Sequence, residues 1–186
     1  MAQQLIPGTT IAINGQSGMF EMFIPLIKAT NGLTLSQVCA ITGLEQSTIQ
    51  NWVKRGFVAN PVNKKYYERQ LARILLISAL RDAMKIDSIG ELMRLVNGSA
   101  DDESDDIISE ERMYDYFCKI IAGFENTIPS AAQIEAYALE ILSDYVEPHQ
   151  HAAKRLKDAL CVMSLAYYAA VYKSDAEKLL EEMRSE

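Results

Sequence analysis

The sequence is poor in the features that mark secreted and membrane-spanning proteins. Its 186 residues include only three cysteines, and an odd number of widely spaced cysteines is typical of a reducing compartment rather than of a disulfide framework. No strongly apolar run reaches the roughly 18 residues that a membrane span needs. Met1–Gly8 has no basic segment leading to a cleavage site. We therefore expect a cytoplasmic protein that makes no membrane contact.

Motifs for catalysis and for cofactor or metal binding are also missing. The sequence contains no glycine-rich phosphate loop, no nucleophile elbow and no Cys/His pair at a suggestive spacing. Cys39, Cys118 and Cys161 lie far apart, and free cysteines are usually packing residues. His149 and His151 point to different sides of a helix, which does not suit a shared metal ion. We expect no enzyme activity, no metal site and no cofactor.

Charge is distributed unevenly along the chain. The net charge is −7, yet residues 28–96 carry ten Lys and Arg against five Asp and Glu, whereas residues 97–186 carry eight against nineteen. Five of the eight residues 99–106 are acidic. This separation predicts a basic binding module joined to an acidic module with another role.

Helical patterns dominate the chain, so the predicted fold class is mainly α. Thr34-Leu-Ser-Gln37 is a capping box, and Leu71–Leu80 is apolar nearly all round, which predicts a helix at the centre of the core. Because like charges resist packing, the acidic stretch is predicted to be a solvated linker; mimicry of DNA by this stretch is an alternative. The predicted parts are an N-terminal arm and helix at 1–30, a basic module at 31–97, an acidic linker at 98–106 and a helical module at 107–186.

Two short helices on either side of Gly43 carry the clearest functional pattern. Apolar residues at helical spacing give each one a buried stripe, including Trp52 as a packing residue, and the opposite face of Gln46–Arg55 is polar. Amide side chains such as Gln50 and Asn51 hydrogen-bond base edges, whereas Lys and Ser suit phosphates. The pattern predicts a helix-turn-helix followed by a basic wing at 60–67. The predicted DNA-binding residues are Ser47, Thr48, Gln50, Asn51, Lys54, Arg55, Lys64, Lys65 and Tyr66.

The segment Thr34–Val58 resembles, without a gap, the opening of MerR-type winged-helix regulators. Residues 31–97 look still closer to an uncharacterised bacterial family of predicted transcriptional regulators, and that resemblance extends over 20–122. It implies a MerR-like winged helix-turn-helix followed by a helical C-terminal module. Asn51 and Trp52 depart from the MerR pattern, which has paired tyrosines there, and the wing is shorter.

These observations predict a transcriptional regulator that inserts helix 46–55 into the major groove of double-stranded DNA. Two alternatives stay open: a protein-interaction module that uses the scaffold without binding DNA, and an architectural factor that bends DNA. The apolar stripe within 152–171 predicts either the core of a helical bundle or a dimer interface. A homodimer through the C-terminal helices would present two modules to two half-sites. No effector ligand is indicated.

Overall fold

The computed structural model describes residues 5–12, 19–102, 104–124, 127 and 129–185. Within these ranges the chain is mainly α, as predicted, and its extended pairing is confined to three isolated β-bridges. Residues 1–4 and 13–18 of the predicted N-terminal arm, and Glu103 of the acidic stretch, lie outside the described residues.

Eight α-helices form in the described part of the chain, together with two short 3₁₀ turns. None of these helices is both long and apolar enough to cross a bilayer. The helices are α1 (Ile24–Ala29), α2 (Leu35–Thr42), α3 (Gln46–Lys54), α4 (Glu68–Leu80), α5 (Ile86–Asn97), α6 (Glu110–Gly123), α7 (Ala131–Ile141) and α8 (Ala152–Ser185).

The beginning and end of α2 are set by local sequence. The Thr34 hydroxyl accepts the backbone N–H of Gln37, and the Gln37 side-chain carbonyl accepts the backbone N–H of Thr34, so the predicted capping box is confirmed. Gly43 ends α2 at φ +71°, and Gly56 follows α3 at φ +73°. Because glycine adopts positive φ without steric cost, the chain can leave each helix at these two residues.

α4 lies at the centre of the core, as predicted. Every residue from Leu71 to Ile77 is buried, and α4 contacts α2, α5, α6 and α8. The buried apolar side chains of these helices form one continuous cluster. The helices before and after the acidic stretch therefore share a core.

The N-terminal segment is packed against this core. Ile6 is buried, and the Tyr114 hydroxyl of α6 donates a 2.7 Å hydrogen bond to the backbone carbonyl of Pro7. A Cβ atom at Gly8 would lie 2.1 Å from the carbonyl oxygen of Leu75. This close approach to α4 requires glycine at position 8.

Most described residues of the acidic stretch 98–106 are exposed, as expected for a solvated linker, but the stretch also contacts α4. Arg69 of α4 donates a 2.9 Å hydrogen bond to the backbone carbonyl of Asp102 and forms a 3.3 Å ion pair with Asp106. Ala100 is buried, whereas the side chain of Asp101 is exposed. These contacts hold the stretch against α4, and the guanidinium compensates part of its negative charge.

A second arginine of α4 makes a buried ion pair just after this stretch. Arg73 lies 2.5 Å from Glu110, and their side chains are 3% and 0% exposed. Burial raises the pKa of Glu110, and the positive charge of Arg73 opposes that shift. Removing one partner of such a pair costs about 3–5 kcal/mol because the other charge is left buried and uncompensated. The pair fixes the first turn of α6 on α4.

α8 has two halves with different surroundings. Ala152, Leu156, Leu160 and Met163 are buried in contact with the helices around them, so the bundle-core reading of the predicted stripe is confirmed for these residues. From Val171 to Ser185 every residue is exposed. The second half of α8 therefore buries no residue against the other described parts of the chain.

We predict a pH dependence of stability that originates at Asp106. Burial raises the pKa of Asp106 from 3.8 to about 6, although the Arg69 guanidinium acts in the opposite direction. The folded protein then binds more protons than the unfolded chain between about pH 4 and pH 6, so its free energy of unfolding falls as the pH rises through this interval. Denaturant unfolding at several pH values should show a flatter profile for Asp106→Asn than for wild type. Asp101→Asn is the control, and equal slopes in Asp106→Asn and wild type would refute the assignment.

Candidate nucleic-acid interface

The turn between α2 and α3 holds the two helices in a fixed relation. The Thr42 hydroxyl donates to the carbonyl of Val38 and accepts the backbone N–H of Leu44. Leu44 is buried after the left-handed Gly43, and Ile49 of α3 is fully buried. The apolar side of α3 is thereby packed in the core, which leaves its polar side toward solvent.

Five of the predicted DNA-binding residues are brought together on this polar side. All five are exposed, and they line one shallow, open concavity. Amide, hydroxyl, ammonium and guanidinium groups on one surface of this size can form hydrogen bonds with both base edges and phosphates. We call this surface the α3 face; it consists of Ser47, Gln50, Asn51, Lys54 and Arg55.

Arg55 is held at the C-terminal end of the α3 face by two contacts. Its guanidinium forms a 2.6 Å ion pair with Asp87 of α5 and lies 4.7 Å from the ring centroid of Phe57. Both charged side chains are substantially exposed, and exposed pairs contribute only about 0–1 kcal/mol. A phosphate could therefore replace Asp87 as the partner of Arg55 at little cost.

Thr48 lies apart from the α3 face. It is half-buried and lines a different groove, together with Trp52 and the turn from Arg81 to Ile86. Trp52 is 7% exposed and belongs to the apolar core, so its predicted packing role is confirmed. Thr48 lines this groove beside Trp52, and its contact with DNA stays a prediction.

A very small hairpin lies within the segment 60–67 that was predicted to be a wing. Val62 and Lys65 exchange two backbone hydrogen bonds of 2.9 Å, and the two residues between them, Asn63 and Lys64, have φ of 51° and 63°. Positive φ at both central positions is the geometry of a type I′ turn, which joins twisted antiparallel strands. The sequence gives a weak signal for this turn because lysine stands where glycine is usual.

Two predicted wing contacts have structural positions instead. The Lys65 ammonium donates to the carbonyl oxygens of Thr30 and Gly32 at 3.3 and 3.2 Å. Tyr66 is 3% exposed and pairs through its backbone with Leu33. Lys64, at the tip of the turn, is exposed. We therefore correct the predicted wing set: Lys64 is available to a ligand, whereas Lys65 and Tyr66 hold the hairpin to the core.

The cysteines and histidines are dispersed in the structure. Burial raises the pKa of the thiols of Cys39 and Cys118, while His149 and His151 are exposed. No group of three or more His, Cys, Asp or Glu side chains suited to a metal ion occurs in the part of the chain that the structure describes.

The two neighbouring lysines of the hairpin should differ in their effect on stability. Lys65→Met should lower the free energy of unfolding by about 1 kcal/mol because two hydrogen bonds from a charged donor are lost. Lys64→Met should change it by less than about 0.5 kcal/mol, as is usual for an exposed position. Urea unfolding of both variants measures the difference, and equal effects would show that Lys65 does not anchor the hairpin.

Comparison with known proteins finds a similar family for the region that contains this surface. Residues 26–117, about half of the chain, match the family model described as Domain of unknown function (DUF1836). The chain is also 26% identical over 129 residues to the uncharacterized protein YkrK of Bacillus subtilis (strain 168). That match covers 67% of this chain and 55% of YkrK, so the chain spans little more than half the length of this curated relative. No solved structure matches the chain. Residues 26–117 are thus similar to an uncharacterised family, in agreement with the resemblance found in the sequence.

Proposed function

We propose that this protein is a DNA-binding transcriptional regulator that inserts α3 into the major groove. The observation that carries the proposal is the α3 face, where two amides and two basic side chains project from a helix whose opposite side is fixed in the core. A short rigid helix with this chemistry suits base readout from the major groove. The turn at Asn63–Lys64 would lie against the flanking backbone, as the wing does in a MerR-like winged helix-turn-helix.

The α3 face divides into residues that read bases and residues that position the protein. Gln50 and Asn51 have the amide groups that pair with adenine in a bidentate manner. Ser47, Lys54 and Arg55 would contact phosphates, and Lys64 would add a contact beyond the helix. Phosphate contacts fix register and orientation, and base contacts supply the sequence preference.

The distribution of charge along the chain supports a nucleic-acid partner, although the net charge of the whole chain is negative. Residues 28–96 have ten basic against five acidic residues, and the acidic stretch that follows directs Asp106 and the Asp102 carbonyl toward Arg69 of α4. A basic surface attracts the DNA backbone and accelerates encounter. Location in the cytoplasm, where bacterial DNA lies, is part of the proposal, which includes no catalytic step, metal or cofactor.

A homodimer through the C-terminal helices is also part of the proposal. Two copies would place two α3 helices on two half-sites and would raise affinity through effective concentration. The second half of α8 is exposed from Val171 to Ser185 and is available to meet a second chain.

Selection of bound fragments from randomised duplex DNA tests the proposal. Wild type should enrich a recurrent motif, and Lys54→Glu/Lys64→Glu should lose it at both about 50 mM and about 200 mM salt. Lys178→Glu, which makes the same charge change on exposed α8, is the control and should retain the motif. Absence of enrichment by wild type would favour a protein-interaction module, and binding with bending but little sequence preference would favour an architectural factor.

Single substitutions should distinguish the residues that contact bases from the residues that contact phosphates. Asn51→Ala should reduce discrimination against a changed base by about 1–3 kcal/mol, while affinity for random DNA stays nearly constant. Lys54→Ala should weaken binding to all sequences and reduce the salt slope by about one unit. Titration of motif and random duplexes measures both quantities. Equal losses on the two duplexes for Asn51→Ala would refute the base-contact role.

A further inference from the structure

A segment near the N-terminus contacts the end of α2 from which the chain turns toward α3. Thr10 donates its backbone N–H to the carbonyl oxygen of Ile41 at 3.0 Å, and its hydroxyl lies 3.3 Å from the carbonyl oxygens of both Ala40 and Ile41. The last carbonyls of a helix have no partner within the helix itself, so Thr10 supplies hydrogen bonds that the end of α2 needs. We call residues 5–12 the N-terminal loop.

The N-terminal loop also packs on the residue that ends α2. A Cβ atom at Gly43 would lie 2.8 Å from the methyl carbon of Thr10, which is closer than van der Waals contact between carbon atoms allows. After Gly43, the buried Leu44 leads into α3. The contacts of Thr10 therefore lie at the point where the direction of α3 relative to α2 is set.

The other side of the N-terminal loop is attached to α6. Tyr114 is fully buried, and its hydroxyl donates the 2.7 Å hydrogen bond to the carbonyl of Pro7. The carboxylate of the next residue, Asp115, accepts the backbone N–H of Phe20 at 2.8 Å. The ring of Phe20 meets the ring of Tyr114 edge to face, with 6.1 Å between the centroids. Two consecutive residues of α6 thereby hold the chain at Pro7 and at Phe20.

Hydrogen bonds within the N-terminal loop connect its two attachments. Ile6 donates its backbone N–H to the carbonyl of Ile11 at 2.8 Å, and the backbone N–H and the hydroxyl of Thr9 each lie 3.0 Å from the carbonyl oxygen of Ile6. Pro7, which is bonded to α6, and Thr10, which is bonded to α2, lie inside this bonded turn. A displacement of one attachment should therefore move the other.

We propose that the N-terminal loop fixes the orientation of α3 relative to α6, with Thr10 and Tyr114 as positioning residues for the α3 face. A helix that is held in one orientation has less conformational freedom to lose when it binds, and base contacts depend on accurate placement of side chains. Phosphate contacts position the protein but carry no sequence information. The N-terminal loop thus acts on sequence preference through α3.

The fixed orientation is a property of the protein alone, and the inference rests on the proposed function only for its effect on DNA. Its first test is a comparison of amide chemical shifts in the full chain without DNA. Tyr114→Phe removes the hydroxyl that donates to Pro7, and it should shift the amide resonances of Gly43 and Leu44 at the other attachment of the loop. Unchanged resonances of these two residues would overturn the inference.

Tyr145→Phe is the matched control for this measurement. It removes a hydroxyl that donates a hydrogen bond of the same 2.7 Å length to a backbone carbonyl, that of Ile107. Either substitution can lower stability, whereas shifts at Gly43 and Leu44 should follow from Tyr114→Phe alone. Equal shifts in the control would also overturn the inference. Thermal unfolding verifies that both variants are folded.

Substitutions of Thr10 test the other attachment and its effect on DNA. Thr10→Val keeps the shape of the side chain but removes its hydroxyl, whereas Thr10→Ser keeps the hydroxyl. Thr10→Val should shift the resonances of Gly43 and Leu44 and weaken binding to the selected duplex motif about three- to tenfold, the range expected for the loss of one hydrogen bond. Binding to random duplex should change less than about twofold. Thr10→Ser should bind both duplexes as wild type does.

Thr127→Val is the control for the Thr10 variants. It removes a hydrogen bond from a hydroxyl to the carbonyl of Phe124, just after α6, and should leave both affinities unchanged. A Thr10→Val variant that binds the motif as tightly as wild type, or equal losses for Thr10→Val and Thr10→Ser, would overturn the positioning role of Thr10. If wild type selects no motif, the proposed function fails, and the resonance shifts of Tyr114→Phe and Thr10→Val still decide the inference.

Discussion

Burial of the central part of α4, from Leu71 to Ile77, is the constraint on which the rest of the structure depends. A helix that is apolar on all sides must be covered on all sides, and the continuous burial from Leu71 to Ile77 shows that this is achieved. α2 covers part of it, and α5, α6 and α8 cover the remainder. The basic module that contains α2 and the C-terminal helices are therefore tied to the same element, although their charges differ in sign. The orientation of the α3 face follows from this arrangement, because Ile49 and Trp52 attach α3 to the same core.

The two arginines of α4 explain how an acidic stretch can pack beside an apolar helix. Arg69 and Arg73 meet Asp106 and Glu110 on the same side of α4. A buried ion pair adds little net stability compared with well-packed apolar residues, but an unpaired member is costly. The two ion pairs therefore favour the fold in which each arginine has a carboxylate partner. The arginines also hold Asp106 and Glu110 beside α4, while Lys54 and Lys64 stay exposed.

Much of the fold could be predicted because its signals are local. The capping box at Thr34, the left-handed Gly43 and the apolar run of α4 each lie within a few residues of the structure that they determine. The packing of the acidic stretch could not be predicted in this way, since Arg69 is about thirty residues upstream of its partners.

The candidate site shows the same division between local and distant determinants. Helical periodicity was sufficient to place Gln50, Asn51 and Lys54 on one exposed face of α3. It was not sufficient for Lys65 and Tyr66, whose positions depend on contacts with the distant turn around Gly32. In α8, two apolar stripes coexist at helical spacing, and only the packed structure shows which of them the neighbouring helices cover.

The most direct test of DNA binding by the α3 face is amide chemical-shift mapping of the full chain titrated with short duplex DNA of mixed sequence at low salt. The account predicts perturbations concentrated in residues 46–55 and at the hairpin tip around Lys64, and these should diminish as salt is added, because phosphate contacts release counterions. Perturbations absent from α3, or confined to α8 and the acidic stretch, would contradict it.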